Sequence, residues 1–191
     1  MARIYKGTEP ISFLDRVELI LKPDYKPEDQ QIMVEENTDG NGDMFTMKRI
    51  IKPFEESAYL LYRFDQQPGS DLFPFPYFNL RDKNGTGLGV AKACDYVLFA
   101  EKDDEKFIVL IELKKGKEDP IPQLEQMKYF VEFIQNRANR AGIELDANIR
   151  MVGISDEIHR HGTRYRDLSY DENDFAQLYH CEYIWLKDVL K

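Results

Sequence analysis

The chain has no apolar run approaching the ~20 residues needed to cross a bilayer. Its start, Met1-Ala2-Arg3-Ile4-Tyr5-Lys6, has no apolar segment behind it and does not read as a signal peptide. A soluble, cytoplasmic protein without a membrane partner is expected. Positive charge is in deficit: 26 Lys and Arg stand against 35 Asp and Glu, a formal net charge of -9. That excludes a simple basic protein that coats nucleic acid. It leaves room for an enzyme whose cations supply local positive charge. Cysteine is scarce. Cys94 and Cys181 form no CxxC pair, so no structural zinc site is expected, only two buried free thiols. The glycine-rich stretch Asn84-Gly85-Thr86-Gly87-Leu88-Gly89 lacks both the Lys-Ser/Thr ending of a phosphate-binding loop and the spacing of a dinucleotide fingerprint. It reads as a mobile loop. No Ser-His-Asp or Cys-His arrangement, internal repeat or low-complexity tract is present.

What is present suffices for one core. Of 191 residues, 42% are hydrophobic, which suits a domain with a modest extension. Residues 1–52 read as an N-terminal β-rich extension, and residues 53–191 as the main domain. In the extension, 11–21 has strand-like alternation through Val17, Leu19 and Leu21, and 31–36 and 45–51 are further strands. Together they suggest a small antiparallel meander with a turn between Glu35 and Asp43. Pro53 predicts a helix over 54–64, with Glu55 and Glu56 in its first turn. Tyr77 to Leu80 suggests a strand.

Residues 94–100 and 106–114 are the clearest strands, the second with the near-continuous apolar run of a strand buried on both faces. A long helix runs from Pro120-Ile121-Pro122 to about Arg140. Leu124, Met127, Phe130, Val131, Ile134 and Ala138 form its stripe, and Gly142 its stop. A strand over 148–154, a short helix over 174–179 and a last strand over 182–186 follow. Trp185 and the tyrosines read as core. The order implies an α/β chain of mixed α+β type, with a central mixed sheet flanked by helices.

Side chains alternate along a strand, so Glu112 and Lys114 share a face with Ile108 and Leu110. Either charge would be costly to bury unpaired. A hairpin turn centred between Asp103 and Asp104 sets Glu101 opposite Lys106 and Asp95 opposite Glu112. Opposed carboxylates ~5 Å apart repel by roughly 3 kcal/mol at an effective dielectric of about 20. Lys114 and a divalent cation would relieve that, and an oxygen donor set suits Mg2+ or Mn2+. Such a site could bind a phosphate oxygen, activate water and hydrolyse a phosphodiester.

Asp95 followed by Glu112-Leu113-Lys114 on the next strand, and then a helix, resembles the PD-(D/E)xK nuclease superfamily. The resemblance covers roughly residues 54–154. It implies a restriction-endonuclease-like core, with Asp95 and Glu112 binding metal and Lys114 catalytic. It implies that Leu113 lends its backbone carbonyl to the metal. The first-helix acid of many members maps to Glu55 or Glu56, with Glu56 favoured. A catalytic glutamine on the following helix maps to Gln126, with Gln123 nearby. RecB-like members space Gln and Tyr four apart, whereas Gln126 and Tyr129 are three apart. Cys94 stands where a proline usually precedes the aspartate.

Lys115 and Lys117 extend the positive edge of this site. Arg160, Arg164 and Arg166, with His159 and His161, form a basic cluster for phosphate contacts. The expected function is therefore a metal-dependent nuclease acting on nucleic acid, DNA ahead of RNA. Many such nucleases dimerise to cut both strands, so a homodimer is one open arrangement. The alternative is a non-catalytic module of the same fold that binds nucleic acid or a protein partner.

Overall fold

The computed structural model describes residues 5–6, 9–38, 44–54, 57–64, 93–156 and 168–191. The expected strand at 77–80, the glycine-rich loop at 84–89, Glu55, Glu56 and the whole 159–166 basic cluster lie outside them. The described chain is mixed α+β, with two mixed sheets and three α-helices. A minimal ladder of β1 (Tyr5–Lys6) and β2 (Glu9–Pro10) precedes them. No helix among the described residues is long and apolar enough to cross a membrane.

The first helix, α1 (Phe13–Ile20), replaces the strand expected at 11–21. Ser12 caps it by accepting the Asp15 N–H at 3.1 Å, and the Asp15 carboxylate accepts the Ser12 N–H at 3.3 Å. That reciprocal capping box fixes a helical start. Phe13 and Val17, one turn apart, are buried, whereas Leu19 is 60% exposed. Helical spacing therefore prevails over the apparent alternation.

The next two strands, β3 (Ile32–Thr38) and β4 (Met44–Lys52), pair antiparallel as expected. They do not continue into a meander. Their third partner is β10 (Tyr183–Trp185), which joins parallel to β4, giving the order β10-β4-β3.

Where a helix is expected at 54–64, the chain forms β5 (Ala58–Tyr62). Its run of Tyr59, Leu60, Leu61 and Tyr62 pairs antiparallel with β6 (Tyr96–Lys102). Aromatic and apolar side chains on consecutive residues suit a strand covered on both faces better than a one-striped helix. The strand β6 pairs antiparallel with β7 (Glu105–Lys114) through a two-residue turn. Asp103 and Asp104 take φ of 50° and 65° there, the left-handed pair that such hairpin turns require.

The long helix α2 (Ile121–Arg140) carries the chain across to β8 (Asn148–Ser155), which lies parallel to β7. Gly142, at φ 85°, closes α2. The Gly142 N–H donates to the Asn139 carbonyl at 3.0 Å and the Ile143 N–H to the Ala138 carbonyl at 2.9 Å, a Schellman stop. The segment expected as a helix at 174–179 is β9 (Phe175–Tyr179), parallel to β8. Its burial alternates, with Ala176 and Leu178 inward, which is a strand period. A four-residue helix, α3 (Leu186–Val189), ends the fold.

The five-stranded sheet β5-β6-β7-β8-β9 is the middle layer. One face, with Val97, Phe99, Ile108 and Leu110, packs on α1 and α2 through Phe13, Val17, Leu124, Met127 and Val131. The other, with Leu98, Val109, Ile111 and Leu113, packs on Met33, Met47, Ile51 and Ile184 of the second sheet. Every residue from Phe107 to Leu113 is buried, as expected of a strand covered on both sides. Cys94 and Cys181 are buried and form no disulfide.

Candidate functional site

The β6–β7 register runs from Lys102 opposite Glu105 through Glu101 opposite Lys106 to Tyr96 opposite Ile111. The next position sets Asp95 against Glu112. Here side chains extend the ladder. The Asp95 N–H donates to Glu112 Oε2 at 3.1 Å, and the Leu113 N–H donates to Asp95 Oδ2 at 2.6 Å. Each acid thus accepts an N–H from the opposite strand, which lets two carboxylates stand side by side. Lys114 adds a direct ion pair, its Nζ 2.7 Å from Glu112 Oε1. Asp95, Glu112, Leu113 and Lys114 are therefore brought together.

Among the described residues, the buried polar or charged side chains are Asp95, Glu112 and Ser155, at 7%, 3% and 1% exposure. Ser155 lies beside Lys114 in the parallel β7–β8 register. All three thus cluster at one end of the central strands. Burial raises the Glu112 carboxyl to about 7, even though Lys114 and the Asp95 N–H both pull it down. Its surroundings do not fully compensate a negative charge, which is the condition that favours an added cation.

The chain after β7 is folded back to hold Lys114. Ser155 Oγ donates to the Gly116 carbonyl, the Gly116 N–H donates to Asp156 Oδ1 at 2.6 Å, and the Asp156 N–H donates to the Lys114 carbonyl at 3.2 Å. Gly116 turns the chain here with φ 62°.

Three further contributors give little sign of themselves in sequence. The carboxylate of Glu35, on β3, reaches Glu112 electrostatically and raises it further. It pairs with Arg63 at 3.6 Å, whose guanidinium lies 5.4 Å from the Tyr96 ring centroid. The Tyr96 hydroxyl pins β3 in place, donating to the Val34 carbonyl at 2.9 Å and accepting its N–H at 2.7 Å. The readable signal for Glu35 is parity, since it shares a strand face with the buried Met33.

Gly153 is the second contributor. It lies between Glu112 and Gln177 in the sheet register. A Cβ there would stand 2.4 Å from Gln177 Oε1 and 2.5 Å from Pro120 Cγ. A lone glycine inside a strand pattern signals such close approach. Gln177 is the third. With Ser155, Phe175, Tyr179, Pro120 and Lys117 it lines a cleft of about 330 Å3 beside the acid–lysine cluster.

Lys115 leans over Phe45, its Nζ 4.7 Å from the ring centroid, and Lys117 is exposed at the cleft. Gln126 is exposed on α2, near the helix's N-terminal end. Glu56, Arg160, Arg164 and Arg166 lie outside the described residues. Among the described residues no group of three or more His, Cys, Asp or Glu side chains could hold a metal. The donors in hand are two carboxylates and the Leu113 carbonyl. That all-oxygen set fits Mg2+, which keeps several waters and uses only one or two carboxylates. No family model, curated protein or solved structure matches the chain.

Proposed function

We propose that the chain is a Mg2+- or Mn2+-dependent nuclease of PD-(D/E)xK type, built on a restriction-endonuclease-like core and hydrolysing phosphodiester bonds in DNA in preference to RNA. The observation that carries this reading is the cluster of two buried acids and a part-buried lysine at the end of the central hairpin. Two acids and a lysine are held there by each other's strands, with Lys114 2.7 Å from Glu112. A structural ion cluster needs no such burial. A surface ion pair contributes about 0–1 kcal/mol, and a buried one often costs stability.

In this reading Asp95, Glu112 and the Leu113 carbonyl hold the cation. When bound, it polarises a phosphate oxygen and lowers the pKa of a water. Lys114 orients the attacking water and stabilises charge that develops on the phosphate oxygens. Its ammonium is tied to Glu112 before substrate arrives, so little reorganisation is needed. Burial strengthens each of these interactions by excluding water. Lys115 and Lys117 supply phosphate contacts along the rim.

The test is cleavage of plasmid and linear DNA by purified protein with Mg2+, with Mn2+ and with EDTA. Metal-dependent cutting is expected, lost in Glu112→Ala and Lys114→Ala at unchanged circular dichroism. Folded wild type that never cuts, or Glu112→Ala that cuts as well as wild type, would sink the proposal. A non-catalytic binding module is the second reading. It is favoured by the engagement of both Glu112 oxygens, one by Lys114 and one by the Asp95 N–H. It predicts no calorimetric heat with Mn2+.

A further inference from the structure

The outer face of the three-stranded sheet carries two aromatic rings and three lysines that the acid–lysine site does not use. Parity decides which side chains face outward. Met33, Met47, Ile51 and Ile184 point into the core. Their alternating neighbours point away from it: Tyr183 and Trp185 on β10, and Lys48, Ile50 and Lys52 on β4. The register joins these rows, placing Tyr183 beside Ile50 and Trp185 beside Lys52. Both rings stay accessible, Tyr183 at 37% and Trp185 at 40%. The expectation that Trp185 belongs to the core is thus corrected, because it lies on the outward parity of a three-residue strand.

Each ring has a lysine over it. Lys52 Nζ is 4.7 Å from the Tyr183 centroid, and Lys187 Nζ is 5.4 Å from that of Trp185. Lys48, exposed, lies two residues along β4 from Ile50 and so on the same face. Aromatic rings interleaved with lysines on a sheet surface are the components of a stacking platform for nucleic acid.

We propose that this face binds single-stranded nucleic acid, with bases stacking on Tyr183 and Trp185 and phosphates taken by Lys48, Lys52 and Lys187. The proposal rests on the nuclease reading only for the kind of polymer and uses none of its residues. Spacing selects the single strand. Residues two apart on a strand are about 6.6 Å apart, roughly twice the 3.4 Å step of stacked bases. Adjacent bases cannot lie on both rings and remain stacked on each other. A duplex keeps its base faces inside its own stack. A base settling on either ring displaces the ammonium there, and the phosphate of the same nucleotide receives it. Glu36 faces outward on β3, and Glu182 hydrogen-bonds Tyr183. These acids disfavour a bare polyanion, so the bases must contribute to binding.

Trp185 is the chain's single tryptophan, so its emission reports on this face. The experiment titrates the full chain, in EDTA to prevent cutting, with oligothymidylate of about 15 nucleotides. A duplex of equal length and inorganic polyphosphate serve as controls. Oligothymidylate is expected to quench the emission, with a log–log salt slope of about -1.4 to -2 for two or three phosphates. Tyr183→Ala should weaken binding about fivefold or more, and Tyr183→Phe should restore it. Emission unmoved by oligothymidylate in folded protein overturns the proposal. So does equal binding of duplex or polyphosphate, and so does Tyr183→Ala that binds as tightly as wild type. The two readings fail separately. Quenching without metal-dependent cutting sinks the nuclease alone, and cutting without quenching sinks the platform alone.

Discussion

The two ends of the β6–β7 hairpin carry similar acids in opposite circumstances. At the turn, Asp103, Asp104 and Glu105 are exposed to water. At the far end, Asp95 and Glu112 are buried and accept N–H groups from each other's strands. The same two strands and the same kind of charge give a solvated loop in one place and a chemically loaded cluster in the other. Water screens and hydrates the first set. In the second, burial raises the Glu112 carboxyl despite Lys114 beside it. Acid count therefore does not set how a carboxylate behaves; withdrawal from water together with a fixed register does.

The sharpest way to break that contrast is to delete an acid at each end. Glu112→Ala should reduce metal-dependent cleavage about 100-fold or more, and Lys114→Ala by a similar factor. Asp104→Ala should leave the cleavage rate unchanged. A gel assay of initial rates decides it, and equal losses at the two ends would remove the basis for assigning chemistry to the buried one.

How much of this contrast is legible in the amino-acid sequence depends on local signals. The hairpin register is readable because a two-residue turn between strong strands leaves little choice of pairing. That single feature places Asp95 opposite Glu112. The helix α2 and its glycine stop are readable from apolar spacing and capping. The segments read wrongly are α1, β5 and β9, each a short stretch whose apolar residues fit both periods. For α1 the Ser12–Asp15 capping box was the available signal. For β5 the proline and acids at 53–56 imitate a helix start and compete with the consecutive aromatic and apolar run Tyr59–Tyr62, which pairing with β6 fixes as a strand. Glu35 and Gln177 reach the site through tertiary packing: strand parity with Met33 turns Glu35 inward, but nothing local in the chain says that it meets Glu112.

The next largest effect is on stability in the absence of metal. The Glu112 carboxyl has an ordinary value of 4.5 and is raised to about 7 in the folded protein. The folded state therefore holds this proton more tightly than the unfolded state. Its contribution to stability is fully present below pH 4.5 and is lost as pH rises towards 7. The loss should be on the order of a few kcal/mol. Urea denaturation in EDTA at pH 5 and pH 8 measures it. Glu112→Gln should flatten this part of the profile and be the more stable protein at pH 8. Asp103→Asn, at the solvated end, should keep the wild-type slope. A slope that Glu112→Gln leaves untouched would show that burial is not what distinguishes the two ends.

Gly153→Ala probes the packing beside the buried end. The added Cβ meets Gln177 Oε1 at 2.4 Å and Pro120 Cγ at 2.5 Å, so one side must move. Overpacking of this kind costs about 1–3 kcal/mol. The lower urea midpoint should come with slower cleavage, because Gly153 is the cross-strand neighbour of Glu112. Loss of stability with undiminished cleavage would confine Gly153 to packing.

The smallest effect belongs to the turn itself. Asp103 and Asp104 both have positive φ, where a Cβ costs roughly 1–2 kcal/mol and aspartate is tolerated better than most residues. Asp104→Gly removes that strain but adds freedom to the unfolded chain, which offsets part of the gain. A net increase of a few tenths to about 1 kcal/mol is expected in urea denaturation. Cleavage should not change, because a two-residue turn is retained and Lys102 still faces Glu105. The turn sets the register that brings Asp95 to Glu112, yet its own carboxylates add nothing to the chemistry. A gain in stability with unchanged cleavage would separate those two roles on one hairpin, whereas altered cleavage would mean that the turn acids act on the buried end through more than register.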